Sequence, residues 1–399
     1  MLPKPFLMAK PVLEYIEKHN HKAYFVGGCV RDLLLNRPLG DIDIATSAPP
    51  EYIQEIFPKV IPVGIEHGTV IVRYEKESYE VTTFRMDGNY SDKRHPDTVE
   101  FIDDINKDLE RRDFTINALA MNLHGEVIDL FGGRNDIDKK MIRTVGNGYE
   151  RFTEDPLRII RALRFSSQLG FDIHPDTFKQ MKDLRKEIES LAVERITNEF
   201  TKLFAGEYVA NGIRYLKKLG IEKFLPVFSD FPDLINQIPS AIKPLQSFGE
   251  CIALFNILKP EITVSEWVRK WKCSNKTKLE AIQLLQAYDQ YKSNGIDSWL
   301  VYQLSSEFYD GFCRLLDILE QTDITIHHMN AIENELEIRE KSELAINGYD
   351  LIELFPARQK GPWLHQLIKR IEKEVVSGNL NNTKSEIKDW IKWNPLEID

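Results

Sequence analysis

The chain has 399 residues, with 52 Lys+Arg against 62 Asp+Glu and a formal net charge of −10, a length that suggests about two to four domains. With 42% apolar and 29% charged residues it is too apolar for a disordered chain, and its acidity argues at first against a nucleic-acid binder. Four scattered cysteines, Cys29, Cys251, Cys273 and Cys313, lack zinc-ligand or disulfide-scaffold spacing, and no signal peptide or membrane-length apolar run is visible, so the expectation is a soluble, cytoplasmic protein.

In chain order, AYFVGG, DIDIAT, GTVIVRY, YEVTTFR and TVEFI read as short strands. CVRDLLL, PPEYIQEIF and TINALAMNL read as short helices. Together they predict an α/β unit with a mixed or antiparallel sheet over residues 1–145. The polar stretch Met86–Asp97 predicts a long mobile loop between two strands. From Glu150 onward apolar residues recur every three or four positions, as in PLRIIRALRFSSQLG and ERITNEFTKLF, and the remainder reads as helical. Weak linkers fall at Phe231–Pro244 and Ser293–Asp297, and no repeat or low-complexity tract is visible.

Chemistry concentrates first in Tyr24–Thr46, YFVGGCVRDLLLNRPLGDIDIAT. Gly27–Gly28 sits at a strand-to-helix junction, where backbone N–H groups can approach an anion, although any tight turn would also use glycines. Arg31 falls in the first helical turn, unfavourably for the helix dipole unless an anion is bound. Asp41 and Asp43, two apart in a strand, project to one face and repel each other unless a cation lies between them. Hard oxygen donors of this kind suit Mg²⁺, which shares its shell with substrate phosphates. A second DxD, Asp136-Ile-Asp138, lacks an upstream Gly-Gly pair and runs into lysines, so a solvated turn is expected there.

Glu80 either adds a third carboxylate to the pair or is an exposed strand residue. In LERRDFTINA, Arg112 can clamp a triphosphate bidentately, and Asp113 is a helix N-cap or a nucleotide ligand. In EDPLRIIRALRF, Pro156 suits a first helical position with Asp155 as its N-cap. Arg158, Arg161 and Arg164 step three residues apart as a slanted basic stripe. No acid lies between Asp155 and Asp172, which favours an anion or nucleotide against that stripe over a solvated face.

These blocks, in this order, resemble the class II tRNA nucleotidyltransferase and bacterial poly(A) polymerase superfamily, within the polymerase-β-like nucleotidyltransferases. GGCVRD followed by DIDIAT is similar to its catalytic motif and RRDFTINA to its ribose-contacting motif. Asp129–Gly146 is similar to its hinge segment, EDPLR to its base-reading motif and ERITNE (Glu194–Glu199) to a helix-stabilising motif. The stretch from Asn347 to Trp390 resembles the tail of CCA-adding enzymes of the Gram-positive bacterial type. The resemblance implies an α+β fold: a nucleotidyltransferase head (1–145), then a helical neck (146–205) for base recognition. A helical body (206–290) and tail (291–399) would bind RNA. The loop Arg85–Pro96 resembles that of full CCA-adding enzymes. No basic GRRF-type element of poly(A) polymerases and no His-Asp dipeptide are present.

The implied reaction adds C, C and A to tRNA from CTP and ATP, by two-metal in-line displacement. Asp41 and Asp43 hold Mg²⁺, with Glu80 beside them. Gly28, Arg31 and Arg112 hold the triphosphate. Asp155 and Arg158 read the base: a carboxylate accepting the amino group and a guanidinium donating to the ring nitrogen suit cytosine and adenine, whereas uracil and guanine would leave buried groups unpaired. A poly(A) polymerase and a non-catalytic RNA-binding relative are the alternatives, while a P-loop kinase is disfavoured because no GxxxxGK[ST] occurs. A homodimer stays open. Charge is uneven, since residues 151–280 carry 21 Lys+Arg against 17 Asp+Glu, so the net acidity argues only against indiscriminate RNA binding.

Overall fold

The computed structural model describes residues 2–88, 90–91, 93 and 96–394, and the chain divides into two compact units, 1–236 and 237–399. The first unit opens with α1 (Lys4–Lys18). Pro5 stands in its first turn, where the missing N–H has no helical partner, and Phe6, Ala9, Val12, Leu13 and Ile16 form its buried stripe.

Then follow β1 (Ala23–Val26), α2 (Gly28–Leu34), β2 (Asp43–Thr46), α3 (Pro50–Ile56), β3 (Val60–Gly64), β4 (Thr69–Tyr74) and β5 (Glu77–Thr83). Next come β6 (Arg85–Asp87), β7 (Val99–Phe101), α4 (Ile105–Glu110), β8 (Ala120–Met121), β9 (Val127–Ile128), α5 (Gly133–Asp138) and β10 (Met141–Ile142). Seven strands form one sheet in the order β3-β4-β5-β2-β1-β8-β9. Only β2 and β5 run parallel within it; the other neighbours are antiparallel, so the sheet is mixed. Strands β6 and β7 pair antiparallel across the base of the loop from Met86 to Asp97, of which Asn89, Asp92, Arg94 and His95 lie outside the described residues.

Three local expectations are corrected. TINALAMNL is not a helix: Thr115–Asn117 make one 3₁₀ turn, and Ala120–Met121 then pair with β1. Residues 115–121 are all buried, the polar Thr115 and Asn117 among them, and burial on every side leaves no periodicity to separate strand from helix. Asp136 is not solvated. It is 1% exposed, accepts a hydrogen bond from Thr115 Oγ1 at 2.7 Å and pairs with Arg143 at 3.1 Å, clamping that turn to α5. Strand β2 begins at Asp43 rather than Asp41, so Asp41 stands in the segment leading into it.

The helical remainder of the unit comprises α6 (Gly148–Glu154), α7 (Leu157–Leu169), the short β11 (Asp172–Ile173), α8 (Pro175–Leu184), α9 (Val193–Phe204) and α10 (Val209–Leu219), ending in the single turn α11 (Leu234–Gln237). Strand β11 pairs in parallel with β10, tying the helices to the sheet-bearing part. Helix α7 packs on α9 and α10. Close approach is possible because Gly206 and Gly212 meet Ser167: a Cβ on Gly206 would lie 2.1 Å from its Oγ.

The second unit is helical: α12 (Phe248–Leu258), α13 (Val264–Lys270), α14 (Asn275–Asn294), α15 (Ser298–Gln303), α16 (Tyr309–Glu320), α17 (Ile326–Glu335), α18 (Gly348–Leu354), α19 (Trp363–Val376) and α20 (Lys384–Trp393). Ser247, Thr263, Ser274 and Asp297 cap α12 to α15 in turn, and Thr383 caps α20, all with side-chain oxygens, as such residues do at helix starts. Trp299, Leu351, Trp363, Ile371 and Ile387 centre one of its cores. No described helix is long and apolar enough to cross a membrane.

Candidate active site

A cleft of about 630 Å³ opens in the first unit between the sheet and α7. One wall is the β1–α2 turn. Gly27 has φ +73°, a backbone conformation that favours glycine, and a Cβ there would lie 2.8 Å from Arg112 Nη1 and displace that guanidinium. Gly28 follows as the first residue of α2. Arg31 is 9% exposed. Its guanidinium holds Asp32 through two hydrogen bonds of 2.9 and 3.0 Å and donates to Asn117 Oδ1 at 2.6 Å. Arg112 pairs with Asp108 at 3.3 Å, yet its buried Nε has no hydrogen-bond partner among the described residues.

The floor carries the acids. Register sets Asp43 directly opposite Glu80 on the parallel pair β2/β5, and both line the cleft. Burial raises the Asp43 carboxyl to about 6; Glu80 adds to the rise, Arg112 opposes it and Asp41 adds further. Negative charge is therefore crowded at this point, an arrangement that a cation between the carboxylates would relieve. Among the described residues no three His, Cys, Asp or Glu side chains form a metal-binding group by themselves. The hard oxygen donors of Asp43 and Glu80 suit a divalent ion that takes one or two carboxylates from the protein and its other ligands from substrate phosphates and water.

The roof is α7, and here the sequence reading of an unneutralised stripe is corrected: each arginine has an acid partner, Arg158 from just ahead of the helix and the other two from distant parts of the chain. Arg158 pairs with Glu154 at 2.7 Å and donates to the carbonyls of Arg151 and Arg111. Arg161 grips Asp113 through Nε and Nη2 at 2.8 and 2.7 Å. Arg164 lies 3.2 Å from Glu199; burial, with the Arg161 charge beside it, lowers its guanidinium to about 10. Arg31, Arg161 and Arg164 also surround the Phe165 ring at 5.2, 5.4 and 4.2 Å, within cation–π range.

Asp113 is not a helix N-cap. Burial alone would raise its carboxyl, but Arg161, the Asn117 amide and Arg158 outweigh this and hold it well below the usual carboxylate range. Oδ1 accepts from Phe114 N and Asn117 Nδ2 while Oδ2 holds Arg161. Asp155 is not the N-cap of α7: Pro156 takes that position and the helix begins one residue late, at Leu157, while Asp155 Oδ1 accepts from Leu157 N at 3.1 Å from just ahead of the helix. Its other oxygen pairs with Arg195 of α9 at 2.7 Å. Asp43, Glu80, Gly28, Arg31, Arg112, Asp113, Asp155, Arg158, Arg161 and Arg164 all line the one cleft. Asp41 does not line it and acts on it through its charge near Asp43.

Arg195, Asn117 and Glu199 were missed as individual site residues. Arg195 and Glu199 are four apart in ERITNE, one helical turn, and that spacing is the signal that sends both to α7 from one face of α9.

A mixed sheet presenting paired acids, with a glycine turn and clustered arginines in the same cleft, defines a nucleotidyltransferase. Residues 23–143 match the poly A polymerase head domain family, 170–231 a probable RNA- and SrmB-binding site of polymerase A, and 245–391 a putative tRNA nucleotidyltransferase domain 2. The CCA-adding enzyme of Oceanobacillus iheyensis is 50% identical over 395 residues, 99% of each chain, and that of Bacillus cytotoxicus 40% over 394 residues, 98% of each. The solved structure of the Bacillus stearothermophilus CCA-adding enzyme in complex with CTP superposes with a TM-score of 0.88 at 35% identity, covering 98% of both chains. The chain belongs to the family of CCA-adding enzymes, the tRNA nucleotidyltransferases.

Proposed function

We propose that this cleft adds C, C and A in turn to the 3′ end of tRNA. The RNA 3′-oxygen attacks the α-phosphorus of CTP or ATP, the bond to the β-phosphate breaks, and pyrophosphate leaves in line. The observation that carries this reading is the union, in one cleft, of Asp43 facing Glu80 with unsaturated arginine donors and the Asp155–Arg158 pair. Asp41 and Asp43 would hold Mg²⁺, which when bound supplies two-metal charge neutralisation to the attacking and leaving oxygens. Glu80 stands ready to take the hydroxyl proton. Gly28, Arg31 and Arg112 receive the triphosphate, and the Arg112 Nε, which has no hydrogen-bond partner among the described residues, is a donor for it. Arg161 and Arg164, oriented by Asp113 and Glu199, add positive charge along the same wall.

Asp155 and Arg158 select the base by the donor–acceptor order that cytosine and adenine share at their amino group and adjacent ring nitrogen. Their ion pairs with Arg195 and Glu154 support this role by fixing both orientations before a nucleotide arrives. We assign residues 1–145 to the catalytic head, 146–205 to the base-reading neck, and 206–290 and 291–399 to tRNA contact. Incubation with Mg²⁺, CTP, ATP and a tRNA lacking its 3′ end, followed by sequencing of the product, tests the reading. Three added residues, CCA, are expected; a long A tract would select poly(A) polymerase activity, and no addition would select a non-catalytic relative.

A further inference from the structure

Two threonines in the cleft have no part in the chemistry described so far. Thr82 lies two residues beyond Glu80 on β5, and Thr69 is its cross-strand partner on β4. Both line the cleft, and their hydroxyls lie 3.1 Å apart. Two hydroxyls carry two hydrogens between them, and their mutual bond uses one. The second hydrogen and several lone pairs remain, because neither hydroxyl has another partner among the described residues.

Their place across the sheet gives this capacity a direction. Reading the strand order from β8 toward β4, the β1–α2 turn with Gly28 and Arg31 comes first, then Asp43 on β2, then Glu80 and Thr82 on β5, then Thr69 on β4. An in-line displacement needs the attacking hydroxyl on the side of the phosphorus opposite the leaving pyrophosphate. If the triphosphate lies at the β1 turn, the RNA terminus approaches over β5 and β4. The incoming nucleotide's base and sugar are drawn instead toward Asp155 and Arg158 under α7. Side chains at 80 and 82 share one face of β5, about 6–7 Å apart along the strand, which spans one ribose.

We infer that the Thr82–Thr69 hydroxyl pair binds the 2′-hydroxyl of the RNA's terminal ribose, holding its 3′-hydroxyl toward Glu80 and Asp43 and selecting an RNA end over a deoxyribose end. The inference rests on the nucleotidyl-transfer reading above. A cross-strand Thr–Thr pair also stabilises a sheet without any ligand, so the test must separate the two roles.

The test uses the full chain with Mg²⁺, CTP and two tRNAs, both lacking CCA and both keeping a terminal 3′-hydroxyl, one ending in a ribose and one in a 2′-deoxyribose. Wild type is expected to extend the deoxy end about tenfold more slowly, the worth of one hydrogen bond. Thr82→Val should slow extension of the ribose end by a similar factor, leave the deoxy end unchanged and leave the KM for CTP alone. Thr82→Ser should restore the preference. If Thr82→Val does not fold, Thr69→Val carries the same expectation. Equal wild-type rates on both ends overturn the inference alone, as does a Thr82→Val enzyme that keeps the preference or instead loses discrimination between CTP and dCTP. A wild type that extends neither end defeats the nucleotidyl-transfer reading, and this inference with it.

Discussion

Arg195 Nη2 lies 2.7 Å from Asp155 Oδ2, joining α9 to the turn that opens α7. Asp155 Oδ1 is meanwhile held by Leu157 N, so the carboxylate is fixed at both oxygens. A carboxylate has about four lone-pair sites, which leaves room for a base amino group in a set direction. Arg195→Ala should therefore lower kcat/KM for CTP and ATP alike by roughly 10- to 100-fold, the worth of a charged hydrogen bond, and should raise UTP incorporation relative to CTP. Steady-state rates with each nucleotide check this; unchanged selectivity would show that Asp155 needs no external support.

Asp113 gives a pH-dependent signature. Its folded-state pKa is depressed below the ordinary 3.8, with Arg161 the main partner against the cost of burial. The stability it contributes is therefore present above about pH 4 and is lost as pH falls below that toward the depressed value. Asp113→Asn leaves Arg161 only the more distant Glu199 carboxylate, at 3.7 Å, and should cost about 3 kcal/mol at neutral pH. Urea denaturation at about pH 7 and about pH 3.5 should show the gap between variant and wild type narrowing on acidification. A gap that widens would contradict the assignment.

Asp43→Asn should separate stability from activity. Above about pH 6 the wild-type carboxylate is ionised in a half-buried place facing Glu80, so removing its charge relieves repulsion. The variant should melt no lower than wild type while nucleotide addition is abolished, a trade expected where a strained site serves function. Melting curves and a primer-extension assay on one preparation test both halves. Residual wild-type turnover would remove Asp43 from the catalytic set.

The strands bearing Asp43 and Glu80, the glycine turn and the start of α7 to within one residue were readable because each is written in local spacing: alternation of two, a Gly-Gly junction, a proline at the helix start. Their convergence in one cleft was not, since the Asp43–Glu80 register is a parallel pairing between distant segments. The arginine stripe shows the same limit. Arg161 finds Asp113 from 48 residues away and Arg164 finds Glu199 from 35 away, so a stretch without local acids was mistaken for one without counter-charges. TINALAMNL failed for a different reason, because burial on every side erases the periodic signal that separates helix from strand.

Those same counter-charges sharpen the test of base selection. Exchanging the polarity of the reading pair, Asp155→Arg with Arg158→Asp, presents the donor–acceptor order that uracil and guanine require. The exchange also brings the new guanidinium at position 155 against Arg195, and the new carboxylate at position 158 against Glu154, each at a contact that is now 2.7 Å. Like charges set so close cost several kcal/mol. The double variant should therefore prefer UTP and GTP yet turn over about 100-fold more slowly than wild type does with CTP. Adding Glu154→Gln and Arg195→Gln removes both repulsions and should recover at least about tenfold of that loss without reversing the new preference. Strict retention of CTP and ATP by the double variant would sink the pairing scheme. A shifted preference with no recovery in the quadruple variant would keep the pairing and discard the supporting role of Arg195 and Glu154.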